Sequence, residues 1–437
     1  MSGARAELEG IFRAALEAVD PGAALLRAAE WENGALRIAG ETLPRGSRVS
    51  VVAAGKAAPA LALAFERLAE SLELRGLVVT KDGHGRRLAR LELREAGHPL
   101  PDSRSAAAGH AALAVAAQAS ADEALVVLLS GGASALLTTP LPGLTLAELR
   151  TTTELLLRSG AEIAELNCVR KHLTAVSGGR LLAATRACHV FVLVVSDVLG
   201  DDLGTIGSGP CSSDPTTFAD ALAVLERRAL LERVPPPVRE QLEQGAAGLW
   251  PESLKAGDSA LTRVRSVLLA SNRDALAAAS RCARLLGLEV RVVTDQLRGE
   301  ARVLGARLAA LGLSRLRCDR ATLLLAGGEP TVTVRGAGRG GRAQELALSA
   351  ALTLDGDAGV ALLAAGTDGS DGPTDAAGAY ADGGTLARGA ALGLDPRACL
   401  AANDSHGFFS REGGCFVAGP TGTNVMDLVL VRVAAAA

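Results

Sequence analysis

Residues Ser196–Thr217, SDVLGDDLGTIGSGPCSSDPTT, concentrate carboxylates, hydroxyls and glycines in a chain otherwise built largely of Ala, Leu, Val and Arg. The stretch holds four aspartates (Asp197, Asp201, Asp202, Asp214) and four glycines (Gly200, Gly204, Gly207, Gly209). It follows the apolar run Val190–Val195, whose composition is that of a strand buried on both faces. An acidic, glycine-rich loop at the carboxyl end of such a strand is where α/β proteins place ligands. Asp197, the first carboxylate after the strand, stands where nucleotide enzymes put a Mg2+-coordinating aspartate. Asp201 and Asp202 share that duty or face water, and Asp214 reads as a residue that shapes the turn.

Other turns carry complementary chemistry. Gly55-Lys56 follows the buried-type run Val49–Ala54 and opens a helix. Glycine lets the backbone approach a ligand, and a lysine there, unfavourable for the helix dipole, suits a bound phosphate or carboxylate. The upstream glycine and following Ser/Thr of a Walker A loop are absent. In Ser130-Gly131-Gly132-Ala133-Ser134, successive backbone amides after Leu125–Leu129 make an anion-binding turn, with Ser130, Gly131, Gly132 and Ser134 as nucleotide- or phosphate-binding candidates. Gly327 and Glu329, after Thr322–Ala326, join that set. Arg335, Arg339 and Arg342 crowd a glycine-rich turn before a helix, and Arg342, nearest the helix, is the preferred anion ligand.

Gly336-x-Gly338-x-x-Gly341 also matches a dinucleotide fingerprint, with Asp355 and Asp357 near the ribose position. The preceding Pro330–Arg335 alternates Thr and Val, as in a half-exposed antiparallel strand, which argues against that fingerprint. Asp368, Asp371 and Asp375 form a second acidic loop, read either as functional or as a turn rich in Asx caps. His98 and His406 lie in polar turns, and their spacing suggests no Ser–His–Asp arrangement.

These residues need a scaffold, and the composition describes it. Hydrophobic residues make up 49% of the 437 and aromatics only 2%, so the core is aliphatic, with closely packed helices. A net charge of −3 gives no field that favours nucleic acid or an anionic membrane, and the apolar runs are strand-length, too short to span a bilayer. The N-terminus reads as an amphipathic helix, not a signal peptide. Seven cysteines (168, 188, 211, 282, 318, 399, 415) contain no C-x-x-C pair, which fits reduced thiols in a cytoplasmic protein and no structural metal. Of 45 basic residues only Lys56, Lys81, Lys171 and Lys255 are lysines.

Strand-like runs alternate with helical patterns such as Leu61–Leu74 and Ala106–Ala117, which predicts α/β architecture in two domains. Each is expected to have a mostly parallel sheet flanked by helices. Pro235-Pro236-Pro237 and Trp250-Pro251 interrupt the rhythm. The expected organisation is a Rossmann-like domain over 1–232, a linker over 233–258 and a second α/β domain over 259–437.

The segments AAGKAA (53–58), VVTKDGHG (78–85), GHPLPD (97–102), LLSGGASALL (128–137), NCVRKHLTAVSGGRL (167–181) and SDVLGDDLGTIGSGP (196–210) resemble the glycerate 2-kinase family. So do GGRAQELAL (340–348), AAGTDGSDGPTDAAGA (364–379) and GPTGTNVMDL (419–428), and the C-terminal part resembles the MOFRL domain. The motifs span nearly the whole chain, and three of the four lysines (56, 81, 171) fall within them. The resemblance implies an active site in a cleft between two α/β domains. It implies Mg2+-dependent transfer of the ATP γ-phosphoryl group to the 2-hydroxyl of D-glycerate, with Lys56 and Arg342 matching essential residues. The family usually has Asn before the Gln-Glu pair, where this chain has Ala343, which bears on donor or acceptor preference. Some relatives carry a hydroxypyruvate reductase label, so an NAD(P)H-dependent reductase is the chief alternative and a non-catalytic sugar-acid binding protein the second. D-Glycerate and ATP are the expected partners, with no nucleic acid or membrane, and a homo-oligomer is left open.

Overall fold

The computed structural model describes residues 2–315 and 319–436; Cys318 lies outside them. The chain divides into two compact units, one of Pro21–Leu269 and one of Met1–Asp20 with Ala270–Ala437.

The first unit is built on a six-stranded sheet. Its strands are β1 (Arg48–Ala54), β2 (Glu73–Lys81), β3 (Glu92–Ala96), β4 (Ala124–Leu129), β5 (His189–Val195) and β6 (Val264–Ala270), in the order β3-β2-β1-β4-β5-β6. The pairings from β3 through to β5 are parallel. β4 is buried along its whole length and β1 and β5 at all but their first residue, as their unbroken Val/Leu/Ala runs require. Each fully buried Val or Leu contributes about 1.5–3 kcal/mol. Chain order reverses at β1: the chain moves outward to β2 and β3, then returns to β1's other side as β4. That makes the carboxyl ends of β1 and β4 the switch point of the sheet, the usual ligand crevice of open α/β sheets. A small antiparallel sheet of Ala29–Glu32, Ala35–Ile38 and Glu41–Pro44 completes this unit's strands.

The second unit holds β7 (Glu289–Leu297), β8 (Thr322–Gly328), β9 (Val360–Gly366), β10 (Gly378–Asp382), β11 (Cys415–Phe416) and β12 (Asp427–Val433), ordered β7-β8-β12-β9-β10-β11. The α/β class stands, but this sheet is mixed. Only β7–β8 is parallel; the other four pairings are antiparallel. The reason is the last strand: β12 inserts between β8 and β9 and runs against both. Its first residue, Asp427, therefore sits beside the carboxyl-terminal residues of its neighbours, Gly328 and Gly366.

The division differs from the sequence expectation at two places. Residues 233–258 are not a spacer: Pro236–Ala246 is a helix whose Val238 and Leu242 share a core with Phe218, Val224 and Leu225. The proline run starts that helix, where a missing N–H costs no hydrogen bond. The first helix, Ser2–Ala18, belongs with the C-terminal unit, where Phe12 packs edge-on against Phe416 and Glu7 pairs with Arg432. Local patterns also shift. The helix expected over 61–74 is Ala58–Leu68, with β2 beginning at Glu73. Pro330–Arg335 forms no strand, only an isolated bridge at Thr331, and Asn403 Oδ1 accepts the N–H groups of Arg335 and Gly336.

Candidate active site

At the switch point of the first sheet the two predicted anion turns are hydrogen-bonded to each other. Lys56 N donates to Gly131 O (2.9 Å), Ser130 N to Ala54 O (3.0 Å) and Ala57 N to Ser130 Oγ (3.0 Å). Gly55 permits this approach: its φ is +127°, and a Cβ there would lie 2.2 Å from Ser130 Oγ. The arrangement separates the roles of the predicted residues. Ser130 is fully buried, and its hydroxyl locks the Lys56 turn. The amides of Gly131, Gly132 and Ser134 donate to no acceptor among the described residues, so the donors suited to an anion lie there. The His98 ring packs against Gly132, within 2.9 Å of where a Cβ would stand. Lys56 itself is half-buried just before the helix Ala58–Leu68.

Asp197 is half-buried two residues beyond β5, which is paired with β4. The rest of its loop folds on itself. Asp202, exposed, accepts from Gly204 N and Thr205 Oγ1. Asp214 is fully buried and more than a turn-former. It accepts from Thr216 N (3.1 Å), Thr216 Oγ1 (2.8 Å) and Lys171 Nζ (3.4 Å). Burial opposes its charge, but the Lys171 ammonium and the Thr216 bonds outweigh that and hold its carboxyl below the usual range.

Several polar groups here escaped the sequence reading. Asn167 and Arg170 lie on the helix Ile163–Lys171, and Arg170 Nη2 donates to Ser208 Oγ (3.2 Å). Ser208 Oγ also meets Ser134 Oγ at 3.0 Å. Charged residues in the last turn of a helix look like ordinary dipole partners, so only their place within NCVRKHLTAVSGGRL signalled them.

In the second unit, Arg342 begins the helix Arg342–Leu354, as expected, but its guanidinium is already engaged. Nε and Nη2 bind the two oxygens of Asp427 (2.6 and 3.0 Å), and Nη1 donates to Glu329. Burial pushes Asp427 up to about 6 against the pull of Arg342. Three of the five guanidinium N–H groups are thus used, leaving two for a ligand. Glu329, a nucleotide- or phosphate-binding candidate in the sequence, accepts from this arginine. Gly327 is required by packing, since a Cβ would lie 1.8 Å from Asn272 Oδ1.

The acidic loop after β9 supports the same helix. Asp371 accepts from Ala343 N (3.0 Å), Gln344 N (2.8 Å) and Gln344 Nε2 (3.0 Å), and Asp368 Oδ1 accepts from Ser370 N and Oγ. Ala343 is buried in the apolar core. No strand leads into Gly336–Gly341, so the dinucleotide fingerprint lacks its βα context. Asp427 went unnoticed in the sequence because it is a single acid at the head of an apolar strand.

A family profile described as a domain of unknown function (DUF4147) matches residues 7–243, and that of the MOFRL family matches residues 322–427. A glycerate 2-kinase of Pyrococcus horikoshii is 39% identical over 424 residues, covering 96% of this chain and 95% of that protein. The chain belongs to the glycerate 2-kinase family. Further similarity within the glycerate 2-kinase family extends to a D-glycerate 2-kinase of Thermotoga maritima, 41% identical over 89% of this chain and 92% of that one. A crystal structure of glycerate kinase from Thermotoga maritima superposes with a TM-score of 0.85 at 37% identity, over 99% of this chain and 100% of that one. A protein of Agrobacterium vitis named putative hydroxypyruvate reductase is 40% identical over 97% of this chain and 93% of its own length. Among the described residues, no helix is long and apolar enough to cross a membrane, and six cysteines are free thiols.

Proposed function

We propose that this chain is a cytoplasmic kinase that transfers the γ-phosphoryl group of ATP to the 2-hydroxyl of D-glycerate, with Mg2+ as cofactor. The observation that carries the reading is the hydrogen-bonded pair of turns at the switch point, with Lys56 beside the amides of Gly131, Gly132 and Ser134, which meet no acceptor among the described residues. Phosphoryl transfer asks a protein mainly for positioning and charge neutralisation, and those groups supply both.

The donor chemistry also fits the cofactor. Mg2+ is commonly held by one or two carboxylates together with substrate phosphates. Asp197, half-buried beyond β5, is the carboxylate assigned to it. Among the described residues no group of three or more His, Cys, Asp or Glu is assembled for a metal, so the remaining ligands are assigned to phosphate oxygens and water. When bound, Mg2+ neutralises charge on the transferring group. Lys56 neutralises the same group from the protein side, and the Gly131, Gly132 and Ser134 amides hold its oxygens. Arg342 of the other unit, fixed by Asp427 and Glu329, keeps two N–H groups in a planar arrangement of the kind that matches a carboxylate.

Incubation with ATP, Mg2+ and D-glycerate, with ADP release and product NMR as readouts, tests this. Magnesium-dependent formation of 2-phosphoglycerate is expected; 3-phosphoglycerate overturns the regiochemistry. NADH oxidation with hydroxypyruvate in the absence of ATP overturns the reaction class, and the lack of a strand before Gly336–Gly341 weighs against that outcome.

A further inference from the structure

Arg170, half-buried in the last turn of its helix, stands apart from the neighbouring cations of its unit. Among the described residues no carboxylate lies within ion-pair distance of it, and its hydrogen bond is to Ser208 Oγ, at 3.2 Å. Burial without a counter-charge pushes the guanidinium down to about 10. The neighbouring Lys171 differs, because it faces Asp214. Arg180 differs too, because the carboxylates of Glu252 and Asp214 partly counter its burial. A cation that served only the helix C-terminus would gain from full solvation, yet this one is half-buried and bonded to a fully buried serine.

The group that holds Arg170 is itself constrained. Ser208 is fully buried and has φ +59°, a left-handed conformation that non-glycine residues keep only where the surroundings impose it. Those surroundings are visible: Gly178 N donates to Ser208 O (3.0 Å) and Gly179 N to Gly209 O (2.8 Å). Ser208 Oγ also lies 3.5 Å from Asn167 Oδ1 and 3.0 Å from Ser134 Oγ. Ser134 belongs to the turn whose amides lack acceptors, and that turn is bonded to Lys56 through Gly131. A continuous run of contacts therefore joins Arg170 to the anion turns at the ends of β1 and β4.

We propose that Arg170, aimed by Ser208 beside Ser134, is the guanidinium of a phosphate-binding site in the Pro21–Leu269 unit, taking a phosphate group of the nucleotide or of the phosphorylated product. Arginine suits this task because its planar fork can grip two phosphate oxygens while a third N–H stays on Ser208. The assignment rests on the kinase reading for its choice of ligands, but binding can be measured without turnover.

The test uses the full chain and its Arg170→Met and Arg170→Lys variants, titrated calorimetrically with ADP, 2-phosphoglycerate and inorganic phosphate. Arg170→Met should weaken at least one of the three by tenfold or more, and the ligand affected distinguishes a nucleotide site from a product site. Arg170→Lys should recover part of the loss, because it retains the charge but not the fork. In steady state, the KM of the matching substrate should rise more than kcat falls, a split that loosened packing alone does not produce. Unchanged affinity of folded Arg170→Met for all three ligands overturns the proposal while leaving the kinase reading in place. Loss of phosphate binding in a protein whose wild type does not phosphorylate D-glycerate does the reverse. If Arg170→Met does not fold, Ser208→Ala carries the test: a three- to tenfold weakening supports the site, and wild-type affinity overturns it.

Discussion

Arg342 and Asp427, 85 residues apart in the chain, form a two-pronged ion pair at 2.6 and 3.0 Å, with the carboxylate buried at the head of β12. The pair makes Asp427 a positioning residue for the arginine. Asp427→Asn should lower turnover by about 10- to 100-fold, the scale seen when a hydrogen-bonding partner that orients a functional group is lost. The acid limb of the wild-type rate profile, set by protonation of Asp427 as pH falls through about 6, should disappear in that variant. Arg342→Met should cost stability as well, on the order of 3–5 kcal/mol, because it strands a buried carboxylate. Urea titration measures that cost; an unaltered midpoint contradicts the role given to the pair.

Gly55 is the hinge on which the Lys56 turn depends. A Cβ at this position meets Ser130 Oγ at 2.2 Å and Ser130 O at 2.4 Å, in a backbone conformation of φ +127°. Neither strain can be relieved without separating the two turns. Gly55→Ala should therefore lower the melting temperature and reduce activity by at least about 100-fold, the scale of a lost stabilising donor. Full activity in this variant would show that the contact between the turns is dispensable.

The parts of the fold that were legible are those governed by composition. β1, β4 and β5 are buried on both faces, so each had to be an unbroken apolar run, and the turns after them had to carry the polar chemistry. The second sheet was less legible because its direction depends on where β12 inserts, a pairing between distant segments that no local pattern encodes. The alternating Pro330–Arg335 misled for the same reason. Period two allows a strand, but its backbone donors found Asn403 and its Thr333 found Glu300.

At the site, residue types were legible and their engagements were not. Ser130 was singled out as a nucleotide- or phosphate-binding candidate, but its hydroxyl is spent on Ala57 N. Arg342 was singled out as an anion ligand, yet nothing in the sequence shows that Glu329 and Asp427 would claim three of its N–H groups.

Ser130 and Ser134 separate structure from binding within one turn. Ser130→Ala leaves the buried Ala57 N–H without its acceptor and should cost about 1–3 kcal/mol. Ser134 is only partly buried, so Ser134→Ala should keep stability near wild type and act on the KM for ATP. Lys56→Ala should lower kcat by about 10²–10³ with the fold intact. Thermal melts read beside steady-state kinetics check all three; equal melting temperatures for the two serine variants contradict the separation.

His172 gives the first unit a pH dependence with a defined sign. It is fully buried, lies 4.8 Å edge-on from Phe218 and donates from Nδ1 to Cys168 O at 2.8 Å. Burial holds its pKa below the usual 6.5, despite nearby Asp214 and Glu252. Below pH 6.5 the unfolded chain takes up a proton that the folded one resists, so stability falls as pH drops through that window toward the folded value. Asp214, held low by Lys171 and Thr216, adds a second loss only further down, as pH falls from the unfolded carboxylate value through its own. His172→Gln should be less stable than wild type at pH 7.5, since it disturbs a packed site, by about 1–3 kcal/mol. Because glutamine does not titrate, that deficit should shrink steadily between pH 7 and pH 5. Denaturant titrations of both proteins across this range decide the matter, and a deficit independent of pH would mean that His172 is not the buried neutral imidazole responsible.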